Sequence, residues 1–127
     1  MQSDADLQGR RVLVVEDEMM IALLVEDMLS DLGCDVIGPA HGLDAALELA
    51  LSDQVIDAAL LDVNLAGQPV FAVADALRER FVPMVFSTGY GEAGLRDVDQ
   101  GSPVLQKPFR SGDLAQALTL ALTPAKV

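Results

Sequence analysis

The sequence predicts one α/β domain: a doubly wound, five-stranded parallel sheet with helices on both faces. Three observations predict it. Five short runs rich in Val, Leu, Ile or Ala recur along the chain, as expected of strands buried on both faces. Patterns of helical period lie between most of them, with Gly33, Pro69, Pro83 and Pro124 as punctuation. The 127 residues, 51% of them hydrophobic, fill one core and leave too little for a second of ordinary size.

The first strand is Arg11 to Glu16, and the helix after it, Met19 to Leu32, carries a core stripe of Ile21, Leu24, Val25, Met28 and Leu32. That stripe leaves Met19 and Leu23 beside Glu26 and Ser30, so exposed apolar groups are expected next to the first strand's end. The second strand is Asp35 to Gly38, with Cys34 as a small buried hydrophobe at its start. Leu43 to Leu51 is the second helix, Asp57 to Asp62 the third strand and Val70 to Arg80 the third helix. Pro83 to Ser87 is the fourth strand. Between Gly91 and Gly101 only Ala93, Leu95 and Val98 offer an apolar face, which predicts a short, loosely held helix or none. Pro103 to Gln106 and Gly112 to Leu122 complete the domain, which spans 10–123 between tails 1–9 and 124–127.

In such a sheet the loops after the carboxyl ends of the strands gather along one edge, where ligands bind. Glu16-Asp17, Asp62, Thr88 and Lys107 all fall at such ends, so residues from four distant segments converge. A carboxylate, an acidic pair and a lysine are what acceptance of a phosphoryl group beside a divalent metal requires. Three carboxylates packed closely repel one another, which gives cation binding an electrostatic motive. Glu18 supplies favourable charge at the start of the following helix. His41, the only histidine, belongs to no motif and is read as a loop residue without a role.

Composition narrows the partners. Twenty acidic against eight basic residues give a net charge of -12, which opposes nucleic acid and anionic membrane surfaces. The acidic N-terminus lacks the order of a secretion signal and no apolar run reaches membrane-spanning length, so a cytoplasmic location is expected.

Four motifs in order, Val-Val-Glu-Asp-Glu at 14–18, Leu-Leu-Asp-Val-Asn-Leu-Ala-Gly at 60–67, Phe-Ser-Thr-Gly-Tyr-Gly at 86–91 and Lys-Pro-Phe at 107–109, resemble the receiver domain of two-component response regulators. The resemblance covers nearly the whole chain and implies strand order 2-1-3-4-5. The run at 83–91 is similar to that of often stand-alone receivers with a Phe-Ala-Thr-Gly-Tyr-type motif, with Ser87 in place of the alanine.

The resemblance implies a role for each residue. Asp62 is the phosphoacceptor, Asp17 a direct Mg²⁺ ligand, Glu16 a ligand through water and Asn64 a ligand through its backbone carbonyl. Thr88 and Lys107 contact the phosphoryl group, and the Lys107-Pro108 bond is commonly cis in the family. The phosphodonor, a histidine kinase or histidine phosphotransfer protein, docks on the first helix, here at Met19 and Leu23. Two departures stand out. Val104 occupies the slot of the usual mobile aromatic, which leaves Tyr90, flanked by Gly89 and Gly91, as the substitute switch. Ala66 replaces a proline common in relatives, a change that loosens the loop without abolishing the chemistry.

The expected function is that of a single-domain response regulator, a phosphoacceptor rather than an enzyme. A phosphate sink for a shared kinase has the same sequence requirements. A metal-dependent phosphatase is disfavoured because Asn64 stands where an Asp-x-Asp motif needs its second acid, and a degenerate binding module because the full residue set is present.

Overall fold

The computed structural model describes residues 7–89 and 95–123. Its central sheet contains β1 (Arg11–Val15), β2 (Asp35–Ala40), β3 (Ala58–Asp62), β6 (Met84–Thr88) and β7 (Val104–Gln106). The order is β2-β1-β3-β6-β7, all parallel, which is 2-1-3-4-5 when only these strands are counted. The helices are α1 (Met19–Asp31), α2 (Leu43–Ala50), α3 (Phe71–Glu79) and α4 (Ser111–Leu122). A further pair of short strands, β4 (Asn64–Leu65) and β5 (Gln68–Pro69), forms an antiparallel hairpin after β3. The sequence shows no such hairpin because two residues per strand are too few for an alternating pattern.

Side chains alternate across each strand and so build two cores. Leu13, Val15, Ala59, Leu61 and Phe86 face α2 and α3, which contribute Ala46, Ala50, Val73, Ala74 and Leu77. Val12, Val14, Ala58, Leu60 and Val85 face α1 and α4, which contribute Val25, Leu29, Leu114 and Leu118. Cys34 is buried in the second core, its thiol directed to the carbonyl of Leu7 at 3.4 Å. Leu7 is itself fully buried, although it lies in a stretch that reads as a polar tail.

On α1 the buried positions are Ala22, Val25 and Leu29, while Leu24, expected in the core stripe, is 56% exposed. The small Ala22 lets the helix approach the sheet, and this rotates Leu24 to the margin. The helix ends in a Schellman motif: Gly33, at φ 85, donates to Ser30 and Cys34 donates to Leu29. α3 ends the same way with Phe81 in the left-handed position, at φ 60, where glycine is usual. β2 runs to Ala40, past its expected end at Gly38, because its register against β1 shifts between Leu13 and Val15. Gly38, at φ 93, allows that shift, since a Cβ there would lie 2.8 Å from the Ala40 nitrogen.

Within 91–101 the structure describes residues from Leu95 onward, so Ala93 lies outside the described residues. The described part contains one short 3-10 turn, Asp97–Asp99. Its anchor is polar as well as apolar, since Leu95 packs against the α2/α3 core. Asp99 is fully buried and pairs with Arg78 and Arg96, and Arg96 also reaches Asp75 at 2.8 Å while stacking 4.4 Å over the ring of Phe71. Val98 is exposed. No helix among the described residues is long and apolar enough to cross a membrane.

Candidate functional site

The carboxyl edge of the sheet collects the residues expected there. Glu16 follows β1 and its backbone N–H donates to the carbonyl of Ala40 at 2.9 Å. Its buried carboxylate accepts the N–H of Glu18 on one oxygen at 3.0 Å, and its other oxygen lies 2.9 Å from Lys107 Nζ. Asp62 closes β3 and is buried. Its Oδ2 accepts a hydrogen bond from Lys107 Nζ at 3.0 Å and its Oδ1 one from the N–H of Asn64 at 3.2 Å. Thr88 ends β6, buried, and its carbonyl accepts the Lys107 N–H at 2.9 Å. Lys107 follows β7, and its bond to Pro108 is cis.

Glu16, Asp17 and Asp62 each offer a carboxylate oxygen, all within 4.8 Å of one another. These are hard oxygen donors on a rigid sheet edge, a set suited to Mg²⁺, which takes one or two carboxylates and keeps several waters. Asn64 and Pro69 form a non-hydrogen-bonded pair of the hairpin, next to the bond from the Val70 N–H to the Val63 carbonyl at 3.1 Å, so the ladder makes no demand on the Asn64 carbonyl. Asp17, Asp62, Asn64, Thr88 and Lys107 line one cleft of about 400 Å³. A larger surface groove, about 1040 Å³, includes Arg10, Phe81 and Leu120 and holds none of these residues.

The electrostatics follow from the packing. Burial, helped by the neighbouring Glu16 charge, outweighs the hydrogen bond from Lys107 and holds the Asp62 carboxyl up at about 7. Burial disfavours charge on Lys107, but its bonds to Glu16 and Asp62 outweigh that and the ammonium is held above its ordinary value. One ammonium thus serves a site with an excess of negative charge.

Met19 and Leu23 are exposed, as expected, and Met20 and Leu24 extend the apolar surface. An apolar cleft of about 290 Å³ opens between the Ile21, Leu24 and Met28 side of α1 and Pro108–Phe109, with Lys107 in its wall. Val104 is partly buried against the α2/α3 core. Tyr90 lies outside the described residues.

Two contacts at the site are not readable from the sequence. His41 Nδ1 lies 3.0 Å from the carbonyl oxygen of Glu16, so the ring N–H donates there. Only its position one residue beyond β2 hinted at this edge. The N–H of Ala66 donates to Asp17 Oδ2 at 3.0 Å, a backbone contact that no side-chain motif announces.

A doubly wound parallel sheet with acids and a lysine gathered at its carboxyl edge defines a class of phosphoryl-signalling domain. The chain belongs to the response regulator receiver domain family, whose model matches residues 12–119. It is 32% identical to the transcriptional regulatory protein PdtaR of Mycobacterium tuberculosis over 126 residues, 95% of this chain but 61% of that protein. The chain therefore spans less than two-thirds of that relative. Among solved structures it is similar to SdrG from Sphingomonas melonis, with 38% identity, a TM-score of 0.80, and coverage of 97% of this chain and all of that one. It is also similar to the receiver domain of sensor histidine kinase PA1611 from Pseudomonas aeruginosa, which has a magnesium ion in its active site cleft. That match has 25% identity and a TM-score of 0.74, and covers 90% of this chain and 98% of the other.

Proposed function

We propose that residues 10–123 form a receiver that takes a phosphoryl group from a phosphohistidine of a kinase or phosphotransfer protein onto Asp62. The observation that carries this reading is the convergence of Glu16, Asp17 and Asp62 within 4.8 Å, with Lys107 Nζ 3.0 Å from Asp62. A deprotonated Asp62 oxygen forms a bond to phosphorus as the phosphorus–nitrogen bond of the donor breaks, and the electron pair leaves on the imidazole. Asp17, Asp62 and the Asn64 carbonyl would hold Mg²⁺, with Glu16 acting through water, and the ion would supply charge neutralisation for the phosphoryl oxygens. Lys107 pairs with one of those oxygens and the Thr88 hydroxyl donates to another.

The donor docks on α1, where Met19 and Leu23 are exposed. Output runs through Thr88 to Tyr90 and Val104. Mixing the chain with a phosphorylated histidine phosphotransfer protein tests the reading. The label should move to the wild-type chain and not to Asp62→Asn; equal labelling of both contradicts it.

A further inference from the structure

The hairpin after β3 grips the acidic site. Its turn residues, Ala66 and Gly67, are both left-handed, at φ 50 and φ 91. Glycine adopts this region freely, whereas alanine does so against a steric penalty. Something must hold Ala66 there. Asn64 Oδ1 accepts the Gly67 N–H at 2.8 Å, which fixes the turn, and the Ala66 N–H then meets Asp17 Oδ2 at 3.0 Å across 49 residues of sequence. The Asn64 N–H meets Asp62 Oδ1 at 3.2 Å. One hairpin therefore gives a backbone donor to each of two carboxylates.

The charge balance explains why this matters for Asp17. Lys107 forms ion pairs with Glu16, Glu18 and Asp62, and among the described residues no cation pairs with Asp17. The hydrogen bond that Asp17 receives comes from Ala66. A donor fixed on one carboxylate oxygen holds the other oxygen in place.

We propose that the Ala66 backbone N–H is a positioning group for the cation site, fixing the Asp17 carboxylate so that its second oxygen is presented to Mg²⁺. The inference rests on the reading that Asp17 helps hold the cation. It assigns a consequence to residue 66 in this chain: a proline there has no N–H and a φ locked near -65°, and can supply neither the bond nor the turn. Groups that orient metal ligands commonly change affinity tenfold or more when lost.

The test compares wild type, Ala66→Gly and Ala66→Pro by titrating each metal-free protein with Mg²⁺ and following backbone amide signals. Ala66→Gly keeps the donor and relaxes the turn, so its affinity should stay within about twofold of wild type. Ala66→Pro should bind roughly tenfold more weakly, and saturating Mg²⁺ should return its phosphorylation rate from a small donor to near the wild-type value. In a second arm, hydrogen exchange of the Ala66 amide in metal-free protein should accelerate in Asp17→Ala. Wild-type affinity in Ala66→Pro, or an Ala66 amide indifferent to Asp17→Ala, overturns the inference. If Ala66→Pro fails to fold, the exchange arm decides. If wild type binds no Mg²⁺, the reading of the cation site fails, and the exchange arm still decides whether Ala66 holds Asp17.

Discussion

Lys107 Nζ lies 3.0 Å from Asp62 Oδ2 although the two residues are 45 positions apart, and the same ammonium lies 2.9 Å from Glu16. The parallel topology brings them together by ending β3 and β7 on the same edge. One positive charge among three carboxylates leaves the site short of cation.

That shortage has a pH signature. Folding raises the Asp62 carboxyl to about 7 by burial and the Glu16 charge, against ~3.9 in an unfolded chain. The folded state then holds the proton more tightly, so this group's contribution to stability is present below about pH 4 and is lost as pH rises towards 7. In chelator, Asp62→Asn should be more stable than wild type at pH 8, by on the order of 1–3 kcal/mol, and the gap should close near pH 4. Urea denaturation at both pH values checks this; equal stability at pH 8 refutes the account of Asp62. Mg²⁺ should narrow the gap by stabilising wild type.

Replacing Met19 and Leu23 together with serine should slow phosphotransfer from the protein donor about tenfold or more, since apolar contacts at an interface centre carry much of its energy. Both side chains are exposed on α1, so the site is untouched and labelling by a small phosphodonor should not change. Equal loss with both donors would locate the damage in the fold or the site.

Val104 has no ring to swing, and it is already packed against the α2/α3 core. Phosphorylation should therefore be reported by Tyr90. Its NMR signals should shift on addition of beryllofluoride with Mg²⁺, and Tyr90→Ala should lose phosphorylation-dependent partner recruitment. Unmoved Tyr90 signals, or intact recruitment, would place the output elsewhere.

Phe81 is 92% exposed and left-handed at φ 60, a position where a bulky side chain is strained. Phe81→Gly removes that strain and loses almost no packing, so it should raise stability by about 1 kcal/mol, less the glycine's unfolded-state entropy. Thermal melting of the two forms decides it; a clear loss would show that the aromatic ring contributes to the fold.

The strands and helices were legible because each is a run of one hydrophobic period, several of them bounded by Gly or Pro, and most observed ends fall within a residue of those the pattern marks. The convergence at the edge followed from topology, since residues that end parallel strands must meet. What stayed hidden depends on contacts rather than pattern. Leu24 looks like a core residue until the small Ala22 sets how α1 sits, and Leu7 looks like tail until it packs beneath α1 and α4. Asp99 reads as a surface acid, yet two arginines from separate segments make its burial tolerable. The Ala66 donor is a backbone group, invisible in a list of side chains.

Phosphoryl transfer to Asp62 is read directly by intact-mass measurement after incubation with acetyl phosphate or phosphoramidate, with Mg²⁺ and with chelator. The account predicts one added phosphoryl group on wild type with Mg²⁺, almost none in chelator, and none on Asp62→Asn. Undiminished labelling in chelator, or full labelling of Asp62→Asn, would contradict it.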